Sequence, residues 1–161
     1  MIDSTPRPRV ELRLGREDDR DFIVELAAAT FAALGDYRAT MSSWLAAADV
    51  GAVVATEGGE RLGFALVAAR RAIGFARRPT GELLAIALVP ARQGRGIGRM
   101  LLERAELVAR GWRAAEMRLH TAESNVRAQR FFAAAGYRRH PSRPSVYPSG
   151  EQALEMVKPL R

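Results

Sequence analysis

The chain contains no cysteine, which excludes disulfides, thiolate metal sites and a cysteine nucleophile, and with them any redox clue to compartment. Lysine is nearly missing as well: Lys158 stands alone among the 25 basic residues, and the rest are arginine. The two histidines, His120 and His140, have no ligand-type partners at useful spacing, so no metal site is expected. No apolar run approaches the roughly 18 residues a membrane span needs. The opening stretch MIDSTPRPRV holds no apolar segment of signal-peptide length, so a cytoplasmic location without membrane attachment is the expectation.

What remains is a soluble-type composition, 48% hydrophobic and 27% charged over 161 residues, long enough to bury one core and too short to require two. Residues 1–8, with Pro6 and Pro8, read as a loose tail and residues 9–161 as a single domain. The formal net charge is +7, and clustered cations would suit nucleic acid. The arginines, however, are scattered from Arg7 to Arg161 without a basic arm, helix or recognised nucleic-acid module. A small polyanion is the better partner for this charge, and nucleic acid is not expected.

Periodicity orders the elements as β, α, α, β, β, β, α, β, α, β, β, one α/β (α+β) domain around a single sheet. Val10, Leu12 and Leu14 alternate in a first strand at 9–14. Asp18 or Asp19 caps a helix whose apolar face, from Ile23 to Leu34, stops at Gly35. A short helix covers 38–48, and the Gly58-Gly59 turn joins strands 52–56 and 61–70. The apolar run 83–89 has the length and continuity of a central strand. After it come a helix ending at Gly111, a strand at 115–121, and a helix capped by Ser124 with Ala128, Phe131, Phe132 and Ala135 on its buried face. A strand begins at 137–139, residues 141–150 form a loop, and Leu154 with Met156 marks the last strand.

The junction at residues 89–99 carries the chemistry. There the central strand turns into a helix, and Gln93, Gly94, Arg95, Gly96, Ile97, Gly98 and Arg99 place glycines at alternate positions. The N–H groups that open a helix are unpaired and the helix dipole adds positive potential, so a diphosphate can sit there if no Cβ obstructs it. Arg92, Arg95 and Arg99 add full charges. No Lys-Ser/Thr pair follows, and the glycine spacing is not G-x-G-x-x-G, so neither a triphosphate loop nor a dinucleotide site is indicated.

Gln93-x-x-Gly96-x-Gly98 after Val89-Pro90 resembles the acetyl-coenzyme A loop of the GNAT acetyltransferase superfamily, and Asn125 with Phe131-Phe132 and Gly136-Tyr137 resembles its next motif. Tyr147-Pro148-Ser149-Gly150-Glu151 is similar to a stretch in the ribosomal-protein alanine N-acetyltransferase branch. The motif matches span about residues 81–160. The resemblance implies a mostly antiparallel mixed sheet of six or seven strands with about four helices, splayed between the fourth and fifth strands. It further implies that acetyl-coenzyme A is the co-substrate of direct acetyl transfer to a primary amine in a ternary complex, with no metal. A homodimer, known among relatives, stays open.

By the same resemblance, backbone groups of Ile86, Ala87 and Leu88 pair with the pantetheine arm, a free N–H on the Ala87-Leu88 segment stabilises the oxyanion, and Asn125 bonds the arm. An asparagine beside a helix cap equally serves the local backbone. The general base falls on Glu82 if histone-type members are followed, or on His120 if the N-terminal branch is, with Glu123 third. The family's tyrosine acid is replaced by Phe132, which can line the thioester site but donates no proton. Tyr137 and Tyr147 are the nearby hydroxyls. That substitution also motivates a competing reading, a coenzyme-binding sensor without turnover. The acceptor is expected to enter over segments 31–45 and 141–150, where Asp36 is isolated and no carboxylate cluster marks a polycationic drug. Peptide N-termini, lysines and small amines all stay open.

Overall fold

The computed structural model describes residues 9–71 and 78–161; the expected tail at 1–8 lies outside them. The strands are β1 (Val10–Leu14), β2 (Val50–Glu57), β3 (Glu60–Arg70), β4 (Thr80–Leu88), β5 (Glu116–Ala122), β6 (Arg138–Val146) and β7 (Gln152–Pro159). They build one sheet in the order β1-β2-β3-β4-β5-β7-β6. Every neighbouring pair is antiparallel except β4 and β5, because β4 and β5 are joined through α3 (Ile97–Gly111), and a parallel pair requires such a crossover. The order of elements is the one periodicity predicts.

Helices α1 (Arg20–Thr30) and α2 (Arg38–Ala46) cover one face, where Ile23, Ala27 and Met41 pack on Phe64, Leu66 and Ala85. On the other face, α3 and α4 (Val126–Ala134) press Leu101, Leu102 and Phe132 onto Val67, Met117 and Leu119. In α3 the buried residues Ile97, Leu101, Leu102, Ala105 and Ala109 recur at three to four positions, the stripe a core-facing helix must present.

Two features of β4 shape the site. Val67 pairs with Leu83 but Leu66 with Ala85, so Leu84 is an extra, bulged residue. A bulge reverses which face later residues address: Leu83 and Ile86 both join the α3 side, while Ala85 and Ala87 join the α1 side. In addition, β4 pairs with β5 only over Gly81, Glu82 and Leu83, opposite Met117, Arg118 and Leu119. Beyond Leu83 the two strands part, which is the splay the resemblance implies.

Several local expectations are corrected. The first helix ends at Thr30, and a separate 3-10 turn, Ala32–Leu34, follows before Gly35. The second helix ends at Ala46 rather than 48. Asp19 stands at the N-cap position of α1 but makes no side-chain cap bond there; its buried carboxylate accepts from the Arg16 N–H and from Arg13 and Arg61. Gly111 is the last residue of α3, and the left-handed position after it is Arg113 (φ 62°). The cap of α4 is Asn125, not Ser124. The expected loop at 141–150 is strand as far as Val146. That strand breaks register between His140 and Ser145 and lies at the sheet edge, where Pro141 and Pro144 need no ladder donor.

Candidate active site

The open side of β4 presents backbone. Val89 N–H donates to Leu62 O at 2.9 Å, and bonded residues alternate along an antiparallel ladder, so Ala87 turns its polar groups toward β3. Ile86 and Leu88 therefore turn theirs toward the splay. The Leu88 carbonyl already accepts from Gln93 Nε2 at 3.3 Å, leaving its N–H directed at the gap. Of the three residues named from sequence, Ile86 and Leu88 supply the free groups and Ala87 does not.

At the end of this edge stands the N-terminus of α3. Gly94 (φ 75°) and Gly96 (φ 81°) occupy the left-handed region, where a side chain is strained. A Cβ at either would meet nothing within 4 Å, so the space above the loop is open. Gly96 is the cap residue, and Met100 N–H makes the first helical bond, to Gly96 O at 3.2 Å. The N–H groups of Ile97, Gly98 and Arg99 precede it and have no backbone partner among the described residues. Gly98 lies in the first turn, where a Cβ would touch Leu88 at 3.5 Å and Phe131 at 3.6 Å. Of the nearby arginines, Arg92 is committed to Glu57, while Arg99 binds Glu103 at 2.8 Å and the Ala134 carbonyl at 3.2 Å. Arg95 is exposed and unpaired among the described residues.

The splay opens into a cavity of about 440 Å³. On the side of β4 and α4 it is lined by Leu84, Ile86, Asn125, Ala128 and Phe132. The opposite wall comes from the α1–α2 connection and the turn before β7, with Phe31, Tyr37, Trp44, Tyr147 and Glu151. His120 and Thr121 of β5 line it too. The turn is held in place because Ser149 N–H donates to Leu34 O at 3.1 Å and Tyr147 N–H to Glu151 O at 2.9 Å.

A splayed sheet, an unpaired strand edge and a glycine-bordered helix N-terminus coincide with what sequence comparison finds: the profile of the Acetyltransferase (GNAT) family matches residues 16–137. The chain belongs to the GNAT acetyltransferase family. An uncharacterized N-acetyltransferase of Archaeoglobus fulgidus is 31% identical over 140 residues, covering 81% of this chain and 94% of that protein. Among solved structures, Ard1 from Thermoplasma volcanium superposes with a TM-score of 0.78 at 18% identity, covering 94% of this chain and 98% of that one. Salmonella typhimurium yncA, solved with its cofactor acetyl-CoA, gives 0.75 at 23% identity, covering 94% of both chains. As a GNAT member, the protein is an acetyl-CoA-dependent N-acetyltransferase.

Within this GNAT fold the candidate catalytic side chains separate. His120 lines the cavity. Glu82 does not: it lies at the paired end of β4, bonded by Arg70 Nε at 2.6 Å, and Arg70 also reaches Asp49. Glu123 binds Arg139 at 3.2 Å on the exposed surface. Tyr147 faces the cavity, and burial pushes its hydroxyl up to about 12. Tyr137 is in the α3-side core, its hydroxyl donating to Glu106 at 3.0 Å, and Lys158 Nζ binds the same carboxylate at 2.8 Å. Burial, then the Glu106 charge, drives the Tyr137 hydroxyl far above its usual range. Phe132 lines the cavity and packs edge-on against Phe131, ring centroids 5.1 Å apart.

Asn125 has one oxygen on the Ala128 N–H at 3.0 Å, the cap role, and lines the cavity as well. Ser124 donates its hydroxyl to Glu151. Sequence reading named Glu151 only as the end of the Tyr147–Glu151 motif and did not single out Tyr37 or Trp44, although both lie in the expected acceptor segment 31–45. Which side chains turn inward depends on how the turn before β7 docks on the α1–α2 connection.

Proposed function

We propose that the chain moves an acetyl group from acetyl-CoA to a primary amine by direct attack, with the coenzyme along the open β4 edge and its diphosphate at the α3 N-terminus. The observation that carries this is the continuity of the two features: the free backbone groups of Ile86 and Leu88 lead to Gly94 and Gly96, over which no protein atom stands. When bound, acetyl-CoA supplies an activated thioester. Ile97, Gly98 and Arg99 N–H groups bind phosphate oxygens, Arg95 adds charge, and the Asn125 amide nitrogen is left to donate to the pantetheine arm.

A free amine must be neutral to attack, yet a lysine-type amine has a pKa of ~10.4 and an α-amine of ~7.7 to 8.0. His120, the imidazole lining the cavity, takes that proton, directly or through water. A preorganised N–H of the splay-facing pair Ile86 and Leu88 stabilises the oxyanion as the C–N bond forms. The C–S bond then breaks, and Tyr147, kept protonated by its burial, gives its proton to the departing sulfur. Phe132 shapes the thioester wall and transfers no proton.

The test is calorimetric titration of acetyl-CoA into the wild type and Gly96→Glu. The added side chain and charge obstruct the diphosphate. Micromolar binding by the wild type, abolished in a folded variant, is the expected result, and an absence of binding by the wild type refutes the assignment. Binding without turnover across a broad amine panel would favour the sensor reading that Phe132 motivates.

A further inference from the structure

We propose that the acceptor is a primary ammonium carried on an uncharged, apolar body, captured by Glu151 against an aromatic wall. This rests on the acetyltransferase reading and narrows it to a substrate class. Three observations converge.

The first is the wall itself. Phe31 and Tyr37 stack tilted at 5.6 Å and Tyr37 and Trp44 at 6.5 Å, forming one continuous aromatic surface that, with Leu34 and Tyr147, lines the acceptor side of the cavity. Aromatic faces hold apolar groups and attract a cation through the ring quadrupole. Burial, the larger cause, with the nearby Tyr37 second, raises the Tyr147 hydroxyl, and burial raises that of Tyr37. Both hydroxyls therefore stay neutral donors near pH 7 and cannot serve as anions for the substrate.

The second is the charge of the lining. The chain as a whole is at +7, yet no arginine or lysine lines this cavity among the described residues, and Glu151 is its one carboxylate. The Ser124 hydroxyl takes one Glu151 oxygen, and no described cation pairs with the group, unlike Glu82, Glu106, Glu116 and Glu155. An acceptor bearing a carboxylate, phosphinate or acidic first side chain would bring a second anion to a site without a counter-charge, and that desolvation is unfavourable.

The third is preorganisation. The Tyr147–Glu151 turn docks on the α1–α2 connection through Ser149 N–H to Leu34 O, and Pro148 lies so close to Gly35 that a Cβ there would come within 2.9 Å. Glu151 and the aromatic wall are thus assembled before substrate arrives, so little ordering opposes binding. Glu151 holds the ammonium form at entry, and the proton must leave before attack. Its removal therefore raises KM more than it lowers kcat.

The experiment compares amines without and with an anionic group: 2-phenylethylamine against phenylalanine, and short peptides beginning with Phe against the same peptides beginning with Asp. Because an added anion would meet no Arg or Lys in the lining, kcat/KM should favour the uncharged-body member of each pair by roughly tenfold or more. Glu151→Gln, a partly exposed change, should raise KM for the favoured amine by a similar factor and narrow the preference. Turnover confined to the peptide arm or to the free-amine arm assigns the source of the ammonium. Equal or better use of phenylalanine and Asp peptides, or an unchanged KM in Glu151→Gln, overturns the proposal. Acetyl-CoA binding with no turnover in either arm refutes amine acetylation itself, and the substrate class with it.

Discussion

Replacing Asp19 should be among the most damaging single changes outside the apolar core. The residue is fully buried, and its carboxylate receives Arg13 Nη1 at 2.6 Å and Nη2 at 2.8 Å, Arg61 Nε at 2.7 Å and the Arg16 N–H at 2.7 Å. It thereby ties β1 to β3 and sets the start of α1. Removing one partner of a buried pair costs about 3 to 5 kcal/mol. Arg13 and Arg61 retain 26% and 31% side-chain exposure, and Arg61 keeps an Asp18 contact at 3.4 Å, so water recovers part of that loss. The low end, about 3 kcal/mol, applies to Asp19→Ala. At ~2 to 4 °C per kcal/mol for a chain of this length, the melting temperature should fall by roughly 6 to 12 °C.

The pH dependence distinguishes an ionic cause from a packing one. The Arg13 guanidinium, then Arg61 and the Arg16 N–H, hold the Asp19 carboxyl well below the usual carboxylate range. Its stabilisation is therefore fully present above the unfolded value of ~3.9 and is lost as pH falls below it toward the lower folded value. Calorimetric melting of wild type and Asp19→Asn from pH 7 to pH 3 should show a gap that is wide at neutral pH and narrows in acid. A gap under about 1 kcal/mol at pH 7, or one that stays constant to pH 3, would refute the reasoning.

Two other changes address the cavity. Tyr147→Phe should lower kcat by about 100-fold, in the range for loss of a positioned acid, with acetyl-CoA affinity unchanged by calorimetry. Because that hydroxyl is pushed up to about 12, the wild-type kcat profile should show no basic limb from it below pH ~10. Gly35→Ala meets both a φ of 145° and Pro148; it should cost about 1 to 3 kcal/mol in thermal unfolding and raise the amine KM as the turn is displaced, while leaving coenzyme binding intact.

Much of the fold was legible because its determinants are local. Alternation, helical stripes and glycine turns repeat within a few residues, so the order of elements and the position of the phosphate loop followed from them. Gly94, Gly96 and Gly98 could be placed at the junction of strand and helix because a tight turn after an apolar strand is a local event. Errors fell where local signals competed. Pro141 and Pro144 read as loop, yet an edge strand tolerates them. Ser124 and Asn125 are both good caps, and Ser124 instead donates to Glu151, a residue of the turn before β7.

The site was legible only as far as its backbone. The resemblance left Glu82 and His120 competing as the base; Arg70 engages Glu82 outside the cavity while His120 lines it. Tyr137 and Tyr147 were both candidate hydroxyls in sequence, with packing the favoured role for Tyr137; the structure sends Tyr137 to Glu106 in the core and Tyr147 to the cavity. Arg92 looked available for phosphate until Glu57, distant in the chain, took it. The sequence by itself therefore determined the family, the element order and the glycine loop, since each depends on residues that are near neighbours. Only the tertiary structure decided which charges are free, which hydroxyl faces the splay and that Glu151 joins the aromatic wall, because those depend on the bulge at Leu84 and on contacts between segments more than a hundred residues apart.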